Sequence, residues 1–220
     1  MEIPIRNDDS KENHMARSTV IVAIAVLIVS STSAQNLLTN PGFDVADQLI
    51  GWSCSSTDGL ATWISDDRLG APTSGAMQHF VNAPLLNGQV ACIQCLPVDE
   101  FYAYEASAWH YWPDDPDVTQ EGTARMSIIF YSAVDCTGSL GVATVKVGYH
   151  VALDTWYQFA TDEITAPAGA TSARFTVTTW QDVADHWVRT RIDDLDFSTT
   201  TLFRDGFESG WVDAWSDSVP

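Results

Sequence analysis

The sequence is poor in basic residues. Its 220 residues contain 10 Lys and Arg against 29 Asp and Glu, which gives a formal net charge of −19. A surface that binds nucleic acid needs clustered basic residues to neutralise phosphates, and a surface that binds anionic lipid needs them too. The composition therefore argues against a nucleic-acid partner and against docking on anionic membranes. Neutral ligands and cations remain compatible with it.

The sequence also lacks an apolar run long enough for a transmembrane helix. Its longest run covers residues 19–29, whereas a spanning helix needs about 20 residues. Arg17 precedes this run, and a small polar stretch that ends at Ala34 follows it, which is the order of a secretory signal peptide. We predict a signal peptide over residues 1–34, with Met15 as an alternative start. The alternative is an uncleaved anchor.

Cleavage there would leave a secreted or extracytoplasmic protein with no membrane association. Residues 1–34 contain three basic and four acidic residues, so 7 basic and 25 acidic residues remain and the mature net charge is −18. The acidity therefore belongs to the exported part of the chain.

Cysteine is scarce, and all four cysteines follow the predicted cleavage site. Export to an oxidising compartment favours two disulfides. Cys92 and Cys95 lie in a predicted strand, where positions three apart face opposite sides, so each should pair with a distant cysteine. We place Cys95 on the core side of that strand together with Ile93. The predicted bridges are Cys95–Cys136 and Cys54–Cys92.

No long segment after Gln35 keeps the period of a helix. Short β-rich runs recur instead, and Gly, Pro, Asn and Asp separate them, which predicts an all-β sandwich or barrel. The predicted strands are 61–64, 75–81, 89–96, 101–112, 124–132, 140–151, 155–164, 172–180 and 186–197. Residues 198–220 are too few to bury a core and are interpreted as a linker and C-terminal tail.

Four segments in a fixed order resemble the jelly-roll carbohydrate-binding modules of the cenC-like, galactose-binding-like group. They are NLLTNPGFDVADQLIGWS (36–53), GAPTSGAMQHFV (70–81), DTWYQFATDEITAPAGATSARFTV (154–177) and RIDDLDF (191–197). The resemblance implies an antiparallel jelly-roll β-sandwich over residues 35–197, with Trp52 and Trp156 in its core. The tail, residues 202–216, resembles a C-terminal segment that is common on exported bacterial proteins.

The resemblance also implies a structural calcium ion. In that family an ion ties the opening segment to the closing strand, and the matching positions here are Asp44 and Asp193 or Asp194. Calcium prefers carboxylate and carbonyl oxygens, so these residue types suit it. The family usually has Glu at the first position, and Asp is a shorter ligand. The alternative is an acidic strand end without a metal ion.

Aromatic residues are the candidates for a sugar-binding surface, because a flat ring stacks on the apolar face of a sugar. Trp109 and Tyr111 alternate onto one face of their predicted strand. Trp180 shares the polar face of positions 174, 176 and 178, and an amide and a carboxylate follow it directly. The predicted ligand-binding residues are Trp109, Tyr111 or Trp180, with Gln181 and Asp182 as polar partners.

Two functions from different classes are compatible with these observations. The first is an exported, non-catalytic module that binds a neutral polysaccharide or oligosaccharide, since a strongly negative chain repels anions. The second is a structural or adhesive cell-envelope sandwich. A hydrolase ranks third, because the sequence contains no Gly-x-Ser-x-Gly and no His-Glu-x-x-His motif. Its acidic pairs are interpreted as solvated loop residues.

Overall fold

The computed structural model describes residues 35–200, except 46–47, 85–86, 117, 119–120 and 150–151. All regular secondary structure in these residues is β-strand, and none of them belongs to a helix that is long and apolar enough to span a membrane. The predicted signal peptide and residues 201–220 of the predicted tail lie outside the described residues.

The described part of the chain forms eleven strands in two antiparallel sheets. The strands are β1 (Ser53–Thr57), β2 (Gly59–Ile64), β3 (Ala76–Asn82), β4 (Gln89–Pro97), β5 (Ala103–Tyr111), β6 (Gly122–Tyr131), β7 (Ser139–Tyr149), β8 (Trp156–Ala160), β9 (Ile164–Thr165), β10 (Ser172–Gln181) and β11 (Trp187–Thr199). One sheet has five strands in the order β1-β4-β10-β6-β7. The other has six in the order β2-β3-β11-β5-β8 plus β9, which pairs with β5. The structure thus confirms the predicted all-β sandwich.

Alternation along the strands explains why the two sheets pack face to face. In β10, Ala173, Phe175 and Val177 are fully buried, whereas Arg174 and Thr176 between them are only partly buried. Successive side chains of a strand point to opposite faces, so one face of each sheet supplies the core and the other borders solvent. The core lies between the sheets.

Aromatic side chains fill much of this core. Trp52 contacts Phe175 edge to face at 6.1 Å, and Tyr104 stacks on Phe197 at 5.1 Å between ring centroids. Trp52 is therefore a core residue, as the family resemblance implies. Trp156 is not a core residue: it lies half-exposed on the outward side of β8, 5.2 Å from the ring of Tyr111. Trp156 is two positions from outward-facing Gln158 and shares its side of β8, which explains why Trp156 is not in the core.

The two disulfides join Cys54 to Cys92 and Cys95 to Cys136, which is the predicted pairing. Cys54 lies directly opposite Cys92 in the ladder between β1 and β4. The predicted orientation of β4 is wrong, however. Cys92 is fully buried, whereas Cys95 and Ile93 face outward, because the inward positions of this strand are those of Val90, Cys92 and Leu96.

Removing the second disulfide should destabilise the protein. We expect the double variant Cys95→Ser/Cys136→Ser to lose at least about 2 kcal/mol of unfolding free energy, because the bridge closes a long loop in the unfolded chain. Urea unfolding of the wild type and the variant measures this. Peptide mapping without reduction should recover Cys95 joined to Cys136, and a peptide that joins Cys92 to Cys95 would contradict the assignment.

Candidate functional site

The outward side of the five-stranded sheet is the candidate site, and we call it the open face. Its other side packs on the six-stranded sheet, so the open face borders solvent. The outward residues come from alternate positions of each strand. They include Gln89 and Ile93 on β4, Arg174, Thr176, Thr178 and Trp180 on β10, Thr123, Arg125, Ser127, Ile129 and Tyr131 on β6, and Val145, Val147 and Tyr149 on β7.

A row of side chains crosses four strands of the open face at one level. Trp180 lies opposite Gln89 on β4 and opposite Thr123 on β6, and Thr123 lies opposite Tyr149 on β7. Tyr149 is 63% exposed, and Trp180 is half-buried. The row therefore places two aromatic rings near the amide of Gln89, which is a combination that suits a sugar. Thr123 between the rings is only 4% exposed.

Two arginines flank this row on the same face. The guanidinium of Arg125 lies 4.6 Å from the centre of the Trp180 ring, and its Nε donates to Thr123 Oγ1 at 3.2 Å. The guanidinium of Arg174 lies 5.2 Å from the centre of the Tyr131 ring. Within the described part of the chain, neither arginine forms an ion pair with a carboxylate.

The outward face of the six-stranded sheet is built differently. Arg68 lies 4.3 Å from the centre of the Trp109 ring, and Arg191 lies 4.9 Å from that of Tyr111. Each of these guanidinium groups also forms an ion pair, Arg68 with Asp194 and Arg191 with Asp66 at 2.6 Å. One side of each ring is therefore covered by an arginine whose charge is already neutralised.

The structure does not bring the predicted ligand-binding residues together. Trp109 and Tyr111 are outward residues of β5 in the six-stranded sheet, whereas Trp180 is an outward residue of β10 in the five-stranded sheet. Gln181 points inward and is 1% exposed, and Asp182 is exposed just after β10. The aromatic candidates therefore lie on different faces of the sandwich, and a ligand contact by any one of the five residues stays a prediction.

Arg125, Arg174, Gln89 and Tyr149 of the open face were not among the residues predicted from the sequence. The five strands of the open-face sheet contain no Asp or Glu, although the chain is strongly acidic. The composition of the predicted strands does not single them out, because β2 and β3 of the other sheet contain no Asp or Glu either.

The predicted calcium ligands lie near one another at the other sheet. Asp193 is fully buried; its Oδ2 accepts the backbone N–H of Arg68 at 2.9 Å and its Oδ1 accepts that of Asp194 at 2.7 Å. Burial raises the pKa of Asp193 to about 7. A Cβ added at Gly42 would lie 3.7 Å from carboxylate oxygens of both Asp44 and Asp194, so these two approach each other across Gly42.

These residues fit a calcium ion only in part. Asp44 and one oxygen of Asp194 are placed to bind a cation, but both oxygens of Asp193 already accept backbone hydrogen bonds. Arg68 supplies a positive charge at Asp194. Among the described residues, no three or more His, Cys, Asp or Glu side chains cluster as a metal site. Calcium binding therefore stays a prediction.

Three grooves among the described residues offer no pair of facing carboxylates. The largest of the three, about 370 Å³, is lined by Leu49, Ala61, Thr62 and Trp63. The second contains a single carboxylate, Asp99, and the third contains none. Glycoside hydrolysis normally uses two carboxylates on either side of the scissile bond, so these grooves do not have the composition of such a site.

Comparison with known proteins identifies the fold. No protein-family model and no curated protein matches the chain. A CBM61 module in complex with β-1,4-galactotriose matches with a TM-score of 0.55 at 13% identity, over 76% of this chain and 99% of that one. A structure of carbohydrate-binding modules from the β-sandwich superfamily matches with a TM-score of 0.51 at 12% identity, over 75% and 61% of the two chains.

Part of a larger protein also matches. The enzymatically active domain of tailspike protein 4 from bacteriophage CBA120 has a TM-score of 0.54 at 15% identity; the match covers 74% of this chain but only 21% of the tailspike chain. At such identities the likeness concerns the fold alone. The chain folds as a β-sandwich whose structural neighbours include carbohydrate-binding modules.

Proposed function

We propose that this chain is an exported, non-catalytic module that binds a glycan on its open face. The observation that carries the proposal is the row that places Trp180, Tyr149 and Gln89 at one level of a solvent-bordering face. Aromatic rings stack on the apolar faces of sugars, while amide and hydroxyl groups bond to sugar hydroxyls. The likeness of the fold to carbohydrate-binding modules supports the same conclusion.

Export and the absence of catalysis are parts of this proposal. The predicted signal peptide supports export, and two disulfides are typical of proteins that fold in an oxidising compartment. The composition of the three grooves supports a binding role over hydrolysis. We propose a secreted or extracytoplasmic location on these grounds.

A structural or adhesive envelope protein is the second candidate. The observation that favours it is β7, which lies at the edge of the five-stranded sheet and exposes Val142 by 61% and Val145 by 50%. Exposed apolar residues along an unpaired strand edge favour contact with another protein. Failure to bind any glycan in an array screen would favour this second function.

Substitution of Trp180 tests the location of the glycan site. After an array screen identifies a glycan, Trp180→Ala should weaken its binding by about 1–3 kcal/mol, the usual loss when an aromatic anchor is removed. Trp109→Ala is the matched control, because Trp109 also lies under an arginine but on the other sheet. Isothermal titration measures both affinities, and circular dichroism checks that both variants fold.

The control separates two outcomes. Weaker binding by Trp180→Ala alone supports the open face. Weaker binding by Trp109→Ala alone would place the site on the six-stranded sheet and overturn this part of the proposal.

We also propose that calcium stabilises the fold near Asp44 and Asp194. An ion that binds only the folded state raises the melting temperature, and at 100 times its dissociation constant it adds about 2.7 kcal/mol. Thermal unfolding in excess calcium and in chelator measures the difference. Asp44→Asn should abolish this difference, because it removes one of the proposed carboxylate ligands. Asp44 is exposed, so the substitution leaves the hydrogen bonds of Asp193 intact. An identical melting temperature in calcium and in chelator would refute the site.

The charge of the glycan is a separate question. The net charge of the chain favours a neutral glycan, since a negative protein repels anions at long range. Net charge does not decide which groups bind at short range, however, and the charges on the open face differ from those of the whole chain.

A further inference from the structure

We propose that the open face binds an anionic glycan, in which carboxylate or sulfate groups pair with Arg125 and Arg174. This inference rests on the proposed glycan-binding function and names the ligand class of that same site. It replaces the neutral glycan that the net charge favours.

The first observation is the charge of the five-stranded sheet. The chain contains 29 Asp and Glu, yet β1, β4, β6, β7 and β10 contain none. Strands are depleted in Asp in general, so this absence would mean little by itself. The six-stranded sheet of the same molecule is different, because its strands contain Glu105, Asp193, Asp194 and Asp196. The open face is thus free of strand carboxylates in an otherwise acidic protein.

The second observation is the state of the arginines. Each of the five arginines in the described residues lies over an aromatic ring. The three that belong to the six-stranded side also form ion pairs: Arg68 with Asp194, Arg189 with Asp115 and Arg191 with Asp66. Arg125 and Arg174 form none with the described residues.

A half-buried arginine without a counterion has lost hydration that no partner charge offsets. Burial removes part of its hydration, and a partner carboxylate normally offsets that loss. Arg125 and Arg174 are both half-buried on the open face. A carboxylate or sulfate group from a ligand would supply the missing partner, and the planar guanidinium suits either group because it can donate two parallel hydrogen bonds.

Both arginines are also held in place before any ligand binds. The Trp180 ring and Thr123 Oγ1 position Arg125, and the Tyr131 ring positions Arg174. A side chain that is already positioned loses less conformational freedom when it binds. The rings of Trp180 and Tyr131 therefore orient the charged groups, while Tyr149, which is 63% exposed, offers apolar surface.

The spacing of the two arginines points to a polymer. Arg125 lies opposite Thr178, and Arg174 is four positions along the same strand from Thr178. At about 3.4 Å per residue the two backbones are about 14 Å apart, which exceeds the width of one sugar ring. Thr176 and Ser127 lie between them and carry hydroxyl groups. A chain with repeated anionic groups can contact both arginines, whereas a single small anion cannot.

The test compares matched glycans on the purified chain. An oligogalacturonate carries one carboxylate per sugar, and its carboxyl-reduced form has the same backbone without charge. A chondroitin sulfate oligosaccharide provides the sulfated arm. We expect isothermal titration to show that the anionic form binds at least about tenfold more tightly than the reduced form, because charge-assisted hydrogen bonds are the stronger ones. Whether the carboxylated or the sulfated glycan binds identifies the source of the anionic groups.

Three single variants locate the contacts. Arg125→Gln and Arg174→Gln should each weaken binding of the anionic glycan by about tenfold, and the double variant by about a hundredfold, since distant sites are additive. Lys146→Gln is the matched control: it removes one positive charge from the same sheet, but Lys146 already pairs with Asp162 at 3.4 Å. Thermal unfolding checks that every variant is folded.

The outcomes separate this inference from the proposed function. Equal binding of the charged and reduced glycans, or an equal loss with Lys146→Gln, would overturn the pairing with Arg125 and Arg174. Binding of a neutral glycan that Trp180→Ala abolishes and the arginine variants leave unchanged would refute the anionic ligand but support the function. If none of the glycans in the array binds, both proposals fail.

Discussion

Replacing Gln181 by Ala is expected to lower the free energy of unfolding by about 3–5 kcal/mol, while the glycan affinity of the folded protein stays the same. The Gln181 side chain is buried, and its amide accepts the backbone N–H of Ala83 at 2.9 Å. The same amide donates to the carbonyls of Ala83 at 2.8 Å and Val183 at 2.7 Å.

The size of this effect follows from the backbone groups that the substitution would leave behind. Alanine cannot reach Ala83 or Val183, so one buried N–H and two carbonyls would lose their partner, and each buried loss costs about 1–3 kcal/mol. The amide also joins the segment after β3 to the turn after β10, which are 98 residues apart in sequence. Gln181 therefore stabilises this end of the sandwich.

Gln89→Ala is the matched control, because Gln89 has the same side chain but faces outward beside Trp180. We expect its unfolding free energy to change by less than about 0.5 kcal/mol, as is usual for surface substitutions. Urea unfolding followed by tryptophan fluorescence measures both variants, and titration with the identified glycan measures affinity. A Gln181→Ala variant with normal stability and weakened binding would return Gln181 to the ligand site.

The strands of this fold could be predicted because their local pattern is strong. Every predicted strand segment overlaps a strand of the structure, and the segment 155–164 overlaps both β8 and β9. The one strand that was not predicted is β1, Ser53–Thr57, whose residues are all exposed and show no apolar alternation. It forms because it pairs with β4, where Cys54 meets Cys92.

The site was harder to predict, because alternation does not tell one sheet from the other. Trp180 was assigned correctly to the polar face of its strand, and Trp109 and Tyr111 were assigned correctly to one shared face. Which sheet a strand joins depends on pairing over long sequence distances: β10 lies between β4 and β6, and β5 lies between β11 and β8. Two outward faces of one sandwich therefore look alike in sequence. The inverted orientation of Cys95 and Ile93 has a similar origin, since both sides of β4 contain apolar residues.

The charge of the open face could not be predicted from the sequence either. Arg125 and Arg174 lie at outward positions of strands in which buried and outward residues alternate, and so does Arg191 on the other sheet. What distinguishes them is the carboxylate of Asp66, which reaches Arg191 from a distant loop. Net charge is a sum over the chain and carries no information about such pairs. The predicted neutral ligand followed from that sum, whereas the anionic ligand that we propose follows from the local contacts.

Acidification from pH 7 to pH 4 is expected to destabilise the protein through His79 by about 3 kcal/mol. His79 is fully buried between the sheets; its Nδ1 lies 3.0 Å from Thr179 Oγ1, and its Nε2 lies 3.3 Å from the sulfur of Cys92. Burial lowers the pKa of His79 from 6.5 to about 3. The unfolded state therefore binds a proton that the folded state excludes, and stability is lost as the pH falls below about 6.5.

Comparison with His79→Gln isolates this contribution, because Gln can still bond to Thr179 but does not titrate. Burial also lowers the pKa of His110, to about 4, which acts in the same direction. Asp193, whose pKa burial raises to about 7, acts in the opposite direction, because its folded form takes up a proton first as the pH falls. Both groups remain in the variant, so their contributions cancel in the difference between the two proteins.

Urea unfolding at pH 7, 5.5 and 4 should show the stability advantage of the wild type shrinking by about 3 kcal/mol. Parallel pH curves for the two proteins would mean that His79 is protonated as easily in the folded state as in the unfolded state.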